Sequence, residues 1–424
     1  MIGLLIFSIF SILLIYNYRK WVVIFTAIQP ALFFFSLWNQ SLTVWLTILI
    51  ILVYPFKFHK IFKGINTFPF TIPLLAVGLS MFATDFFAEN MYKHTPTTII
   101  SIGSKCILIF IFWRIYQSSP TKTLSYFIKS SFIITAIICL YSLIETITLT
   151  NPYISWVIDN NIYIGETKFI NEIRYGLKRS QSIYPMHTTL AGFCISVSCF
   201  LYIAYKRKYI KNNALSLCTI VLTFLCAFFT GARSGIIGIL FCFLFILLHK
   251  KVNIKYLLPF FALAMIFFLI TEDYLNAIIN SFTDTESTRG SNTDMRKEQL
   301  AISLLFFEKA PIWGNGFNFA TTVGNQIYPD LYGAESLWFH IMINHGIVGI
   351  ISYLLVYLYA IIYTIKQKRP ILIFYILGFL SIQTLSSVPG IEVTYLFIYL
   401  FVTNEILKTK NNHATHINRP HIQC

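Results

Sequence analysis

The amino-acid sequence predicts an all-α, polytopic integral membrane protein. The chain has 424 residues, of which 56% are hydrophobic and only 12% are charged, and its mean hydropathy is +0.69. A soluble globular protein carries about 25% charged residues. The apolar residues occur in long blocks separated by short basic clusters, a pattern typical of transmembrane helices. The composition therefore excludes an ordinary soluble domain.

Hydropathy along the chain predicts about twelve or thirteen transmembrane helices, since a helix needs about 20 apolar residues to cross a bilayer comfortably. Several apolar segments are shorter than that, which leaves the number open. The segments lie near residues 2–16, 21–38, 42–55, 69–88, 98–117, 125–149, 186–206, 214–230, 234–249, 255–271, 336–365, 369–387 and 389–407.

These segments divide the chain into six parts. The parts are N-terminal transmembrane helices (1–149), an extracytoplasmic loop (150–185), central transmembrane helices (186–271), a large extracytoplasmic loop with short helices (272–335), C-terminal transmembrane helices (336–407) and a cytoplasmic tail (408–424). The orientation follows from basic loops such as "KRKYIK" and "KQKR", which the positive-inside rule places in the cytoplasm. The same loops explain much of the net charge of +15, so no nucleic-acid partner is predicted.

Cysteine and histidine positions predict neither a structural disulfide nor a metal site. Seven of the eight cysteines lie in apolar segments and the eighth is Cys424. No cysteine pair lies in an external loop, where structural disulfides form. The three histidines after Lys408 lack a convincing metal-ligand spacing.

Arg233 lies in a very short turn between two apolar helices, within "FFTGARSGIIGIL". One helix is predicted to end at Thr230–Gly231 and the next to begin near Ser234, a suitable N-cap residue. A guanidinium at the start of a helix adds to the positive end of the helix dipole, which attracts anions. The alternative is a snorkelling arginine at the membrane interface, and the turn alone does not decide between the two.

Further cations lie in the two long outer loops. Arg296 belongs to a predicted outer helix whose N-cap is Thr293; the alternative is a solvated amphipathic helix whose arginine pairs with a neighbour. Arg179 and Lys178 form a basic patch ahead of the central helices, and Arg289 lies in the large loop. Arginine stays charged and binds phosphate bidentately. Cations delivered to one membrane face by separate segments therefore suit a pyrophosphate at the lipid surface.

Glu335 lies where a long apolar stretch begins, in "GAESLWFHIMINHGIVGIISYLL". An acid is favourable at a helix start, so this residue either caps the helix or acts as a general base. Trp338 and His340 follow closely and are candidate substrate contacts. His345 lies deeper and is predicted to be a packing or hydrogen-bonding residue.

The order of these motifs resembles the O-antigen ligase and O-antigen polymerase family of bacterial surface-polysaccharide assembly. The matching pieces are "YGLKRSQSIYPMHTTLAGF", "FFTGARSGIIGIL", "MRKEQLAISLLFFEKAPIWGNGFNF" and "ESLWFHIMINHGIVGI", which together span roughly residues 174–355. The N-terminal half matches only in being helical and apolar.

The resemblance implies a C-type glycosyltransferase in the bacterial inner membrane with its active site facing the periplasm. The implied donor is a glycan on undecaprenyl pyrophosphate, and the implied transfer is inverting and needs no metal, nucleotide or other cofactor. By motif, Arg233 and Arg296 correspond to arginines that engage the pyrophosphate, and Arg179 matches a third basic position. Whether a chain-length regulator binds stays open.

The residue at position 335 favours the polymerase branch of the family. Ligases carry a histidine followed by asparagine eleven residues before the first glycine of the closing GxxG; here that glycine is Gly346 and the pair is Glu335–Ser336. The polymerase branch has an acidic residue there. We therefore expect a polymerase that joins lipid-linked repeat units of O-antigen or a similar polysaccharide, with Glu335 as general base. The alternative is a ligase that transfers the lipid-linked glycan to lipid A-core in lipopolysaccharide.

A transporter or flippase of lipid-linked sugars is the least favoured function. Such a protein is expected to line a cavity at bilayer mid-depth with charge. In this sequence the charges gather in the outer loops instead.

Overall fold

The computed structural model describes residues 2–408 apart from several segments. Those segments are residues 33–34, 38–39, 59, 61–63, 89–94, 161–172, 175–176, 212–213, 250–275, 277–292, 332–335 and 387–392. The predicted helix at 255–271 and the predicted site residues Arg289 and Glu335 therefore lie outside the described residues.

Helices form nearly all of the described N-terminal half. They are α1 (Ile2–Tyr16), α2 (Tyr18–Ile28), α3 (Leu42–Lys57), α4 (Thr71–Phe87), α5 (Thr95–Ile102), α6 (Leu108–Ser118), α7 (Pro120–Thr148) and α8 (Pro152–Asp159), with a π-helical segment, Gly103–Ile107, between α5 and α6. The local sequence explains where two of these helices begin. The Asn17 side chain accepts a hydrogen bond from the Lys20 amide at the start of α2, and Asn151 does the same for the Ile154 amide at α8.

The C-terminal half is also helical. It contains α9 (His187–Lys206), α10 (Ala214–Phe229), α11 (Arg233–Leu248), α12 (Thr293–Lys309), α13 (Leu337–Lys366), α14 (Ile373–Leu385) and α15 (Val393–Lys408). Shorter turns of helix cover Ala320–Gly324, Asn325–Ile327, Pro329–Leu331 and Pro370–Leu372. The strands within the described residues form two small antiparallel ladders, β1 (Ser36–Leu37) with β2 (Gln40–Ser41) and β3 (Ile173–Arg174) with β4 (Leu177–Lys178).

The structure confirms the predicted fold class of an all-α polytopic membrane protein. Every predicted segment within the described residues overlaps at least one helix. Among the described residues, three helices are long and apolar enough to cross a membrane by length and composition: Pro120–Thr148, His187–Lys206 and Leu337–Lys366. Several shorter apolar helices pack beside them.

The predicted segment at 21–38 is shorter in the structure. The α-helix ends at Ile28, and the chain continues as a 3₁₀ turn, Gln29–Leu32, that contains Pro30. Proline has no N–H to donate and disfavours helical backbone in the residue before it. The hydropathy of this stretch therefore overestimates the length of its helix.

Helix α9 lies at the centre of the bundle. All its residues from Thr189 to Tyr205 are buried, and α10, α11, α14 and α15 pack around it. A helix that is apolar on every face belongs in an interior. Helices α11 and α14 also approach closely, since a Cβ on Gly378 would lie 2.8 Å from the carbonyl oxygen of Gly238. Helices α9, α11 and α14 therefore pack closely against one another.

Helix α13, predicted as one continuous span, is broken at Gly346. This residue has φ 58° and ψ −153°, a conformation outside the helical region. A side chain there would be strained by the positive φ, and its Cβ would lie 2.6 Å from the carbonyl oxygen of Ile312. The predicted span at 336–365 is confirmed, but its apolar run gives no sign of the break, which depends on a distant loop.

The loop after α12, residues 310–316, fills the break in α13. Four backbone hydrogen bonds cross between them: Asn315 N to Ile343 O (2.9 Å), Gly316 N to Asn344 O (3.2 Å), Ile347 N to Pro311 O (2.9 Å) and Val348 N to Ile312 O (3.3 Å). Non-helical backbone at membrane depth is tolerated where protein covers it. The loop satisfies the groups that the break exposes and ties α12 to α13.

Candidate functional site

The C-terminal end of α14 is the place where the predicted site segments meet. We call Thr384, Leu385 and Ser386 the α14 end. Beyond Leu385 the backbone of Ser386 is extended, with φ −151° and ψ 133°. Its hydroxyl lies 2.6 Å from the hydroxyl of Ser234 in the first turn of α11. Arg233, the first residue of α11, therefore lies beside the α14 end.

Arg296 reaches the same place from α12. Its Nη2 donates a hydrogen bond to the carbonyl oxygen of Leu385 at 3.2 Å. The last carbonyls of a helix lack partners within the helix and form the negative end of its dipole, so a guanidinium there is stabilising. The structure thus brings the Arg296 side chain and the first residue of α11, Arg233, to the α14 end. Their contacts to pyrophosphate stay a prediction.

The start of α13 also lies at the α14 end. The indole Nε1 of Trp338 donates to the Thr384 hydroxyl at 3.1 Å, and the Ser336 hydroxyl caps the helix by accepting from the Trp338 amide at 3.3 Å. Ser336 directly follows Glu335 in the chain. Glu335 itself lies outside the described residues.

Arg179 is buried against the turn that precedes Arg233. Its Nε donates to the Thr230 carbonyl at 3.0 Å and its Nη2 to the Gly231 carbonyl at 3.2 Å. These carbonyls follow the last residue of α10, Phe229. Arg179 therefore neutralises the negative end of α10 and fixes the short turn from which α11 begins. Its predicted contact to substrate stays a prediction.

Lys178 is buried in an ion pair with Glu145 of α7. Its Nζ lies 3.4 Å from Glu145 Oε1, and both side chains are almost fully buried. Burial lowers the pKa of Lys178, and the carboxylate of Glu145 opposes that shift. The pair explains how a lysine is accommodated here, and its predicted contact to substrate also stays a prediction.

The two histidines of α13 occupy different surroundings. His340 lies in the first turn of α13 and is half-buried; its predicted contact to glycan stays a prediction. His345 is buried immediately before the break at Gly346, and its Nδ1 lies 3.2 Å from the Thr84 hydroxyl of α4. A hydrogen-bonding role for His345 agrees with the sequence-based expectation.

The arrangement favours an anionic ligand. Helices α11, α12 and α13 begin at or close to the α14 end, and helix starts present N–H groups and the positive end of the dipole. The guanidinium of Arg296 lies at this end, and Arg233 is the residue before Ser234, whose hydroxyl lies there too. The described residues contain no group of three or more His, Cys, Asp or Glu side chains placed to hold a metal ion, and the seven described cysteines are free thiols.

Sequence reasoning missed the α14 end and Glu145. The polar run "QTLSS" interrupts an apolar segment, and α7 contains a single carboxylate, Glu145, near its C-terminal end. An ionisable residue within an apolar helix is usually paired or functional. Both features can therefore be recognised in the sequence, but the residues that they contact lie in distant parts of the chain.

The fold defines the chain as a multi-pass helical membrane protein. Residues 218–354 match the model of a family described as O-antigen ligase. The match covers about a third of the chain and includes Arg233, Arg296 and the start of α13. It confirms the predicted resemblance to the O-antigen ligase and polymerase family, which implies a membrane enzyme of glycosyltransferase type in polysaccharide assembly, and it does not distinguish the two branches. A search of curated proteins found no match.

Proposed function

We propose that the chain is a polymerase that joins undecaprenyl-pyrophosphate-linked oligosaccharide repeat units into a surface polysaccharide such as O-antigen. In this proposal the reaction takes place at the periplasmic face of the bacterial inner membrane, inverts the anomeric centre and uses no metal. The observation that carries the proposal is the meeting of Arg233, Arg296 and the start of α13 at the α14 end.

The proposed chemistry assigns one role to each part of this site. Glu335 takes the proton from the acceptor sugar hydroxyl as its oxygen forms a bond to the anomeric carbon of the donor. The bond from that carbon to the pyrophosphate oxygen breaks at the same time. Arg233 and Arg296 stabilise the charge on the departing lipid pyrophosphate, and such electrostatic stabilisation is often the largest contribution to catalysis.

The remaining predicted residues are proposed contacts to pyrophosphate or glycan: Arg179, Lys178, Arg289, His340 and Trp338. Trp338 is the best supported of them, because its indole N–H lies at the α14 end and the residue follows the predicted base by three positions in the sequence. A tryptophan offers a broad apolar face together with one hydrogen-bond donor. That combination suits a sugar ring.

The second candidate is a ligase that transfers the lipid-linked glycan to lipid A-core. The description of the matched family favours it, since the family is described as O-antigen ligase. Glu335–Ser336 in place of the ligase histidine and asparagine favours the polymerase. The two candidates predict different products when the protein is absent.

The first experiment compares polymer length in cells that carry Glu335→Gln with cells that carry the wild type or no protein. Gln keeps the shape of the side chain but does not accept a proton, so we expect single repeat units at the surface and a rate lower by about 10²–10⁴-fold. The control is Glu308→Gln, an exposed carboxylate near the other end of α12. It should give normal chains.

Two outcomes contradict the proposal. Normal long chains in Glu335→Gln would show that Glu335 is not the general base. Long chains that accumulate on the lipid carrier in cells without the protein would identify a ligase. Membrane levels of each variant are measured alongside, so that loss of protein is not mistaken for loss of chemistry.

A further inference from the structure

A single buried carboxylate holds the segment that carries Arg179. We call residues 178–182 the strap. Glu145 is 1% exposed, and its Oε2 accepts hydrogen bonds from the Ser180 hydroxyl (2.9 Å), the Gln181 amide (3.1 Å) and the Ser182 amide (2.6 Å). Its other oxygen faces Lys178. The strap therefore wraps around the carboxylate of Glu145.

Further contacts fix the C-terminal end of the strap. Ser182 has φ 53°, a left-handed conformation uncommon for a residue with a side chain. Its hydroxyl donates to the Ile138 carbonyl of α7 at 2.9 Å, and its own carbonyl accepts from the Asn151 side chain at 2.8 Å. The strap therefore has one closely defined conformation against α7.

The strap in turn holds the turn that leads into α11. The Ser180 amide donates to the Phe229 carbonyl at 2.9 Å, next to the two hydrogen bonds from Arg179 to Thr230 and Gly231. Gly231 has φ 58°, which allows the chain to reverse between α10 and α11. Arg233 follows two residues later.

We propose that Glu145 is a positioning residue for Arg233. Glu145 fixes the strap, the strap fixes the turn at 229–232, and the turn sets where Arg233 meets the pyrophosphate. This inference rests on the proposed function, because it takes Arg233 as a pyrophosphate ligand. The competing explanation is that Glu145 serves only to neutralise Lys178, since a buried charge without its partner is strongly destabilising.

Two double variants separate these explanations. Lys178→Met combined with Glu145→Gln removes both charges but leaves an oxygen that accepts from the strap amides. Lys178→Met combined with Glu145→Leu removes both charges and the acceptor. Neither variant leaves an unpaired buried ion, so their comparison isolates the hydrogen bonds to the strap.

The readout is the KM for the lipid-linked donor, measured with full-length protein in membranes. Loss of folded protein lowers the maximal rate and leaves the KM unchanged. The pyrophosphate is charged in the bound donor as well as on departure, so displacement of Arg233 raises the KM in addition to lowering the rate. We expect the Glu145→Leu double variant to raise the KM by about 10- to 100-fold, the equivalent of one lost charge-assisted hydrogen bond. This ratio is taken against the Glu145→Gln double variant, which keeps the acceptor and shares the Lys178→Met change, so any contribution of Lys178 to substrate binding cancels.

Arg233→Gln, alone and added to each double variant, completes the test. If Glu145 acts through Arg233, the two triple variants should have the same KM, since effects on one shared contact do not add. Equal KM values in the two double variants, with a raised KM in Arg233→Gln, overturn the positioning role alone. A wild-type KM and maximal rate in Arg233→Gln overturn the proposed function itself.

Discussion

Arginines bind the carbonyl ends of helices at both ends of the bundle, and the comparison shows which feature of the site is distinctive. At the site end, Arg179 binds the carbonyls after α10 and Arg296 binds the α14 end. At the opposite end of α9, Arg207 and Arg369 both donate to the Leu407 carbonyl near the end of α15, at 3.3 and 3.2 Å. A guanidinium at a helix C-terminus is therefore a general structural device in this chain.

The difference lies in what stands beside these arginines. Arg207 and Arg369 belong to basic loops of the kind that the positive-inside rule explains. At the site end, α11 begins with Arg233, and the starts of α12 and α13 are nearby, so positive helix ends gather there. Anion binding is thus indicated by the gathered helix starts around Arg233 and Arg296. The helix-capping contacts by themselves do not indicate it.

The sharpest test of this comparison replaces one arginine at each end. Arg233→Gln should lower the rate of chain formation by about 10²–10³-fold, because a donor aimed at developing charge is lost. Arg207→Gln, the matched control, should change the rate by no more than about twofold. The measurement is the initial rate of polymer formation in membranes that contain equal amounts of each variant. An equal loss of rate in both variants would show that the two ends of the bundle do not differ in their effect on polymer formation.

The sequence predicted helices α9, α10 and α11 to within one residue at each end. Their boundaries are marked locally, by Gly231 and by basic clusters that end apolar runs. Arg233 and Arg296 were identified as a pair through motif order, and the structure places both beside the α14 end. Local signals of this kind are strong where a helix starts or stops at the edge of the membrane.

The contacts made by distant segments could not be predicted. Nothing near Gly346 distinguishes it from a glycine that only permits close helix packing, since the break depends on the loop at 310–316. In the same way, Glu145 and the strap are separated by more than thirty residues in the chain. A single sequence shows that such residues are present, but it does not show which segment each of them contacts.

The break in α13 provides a second test. The loop at 310–316 that hydrogen-bonds to the break follows α12, the helix that carries Arg296. Gly346→Ala should destabilise the protein by about 1–3 kcal/mol, because alanine is strained at a positive φ and its Cβ would press on the Ile312 carbonyl. The matched control is Gly78→Ala, whose Cβ would make only an ordinary contact of 3.6 Å with Ile102. Thermal unfolding of the detergent-purified chain measures both. An unchanged midpoint in Gly346→Ala would show that the break does not require glycine.

The smallest expected effect concerns the opposite end and completes the comparison. Arg369→Gln removes one of two hydrogen bonds to the Leu407 carbonyl, while Arg207 keeps the other. The carbonyl stays satisfied, so the loss of stability should not exceed about 0.5–1.5 kcal/mol, the usual net value of one such bond. The rate of polymer formation should stay at the wild-type level. A rate reduced as far as that of Arg233→Gln would mean that helix capping anywhere in the bundle controls activity. The helix starts around Arg233 and Arg296 would then not be the feature that distinguishes the site end.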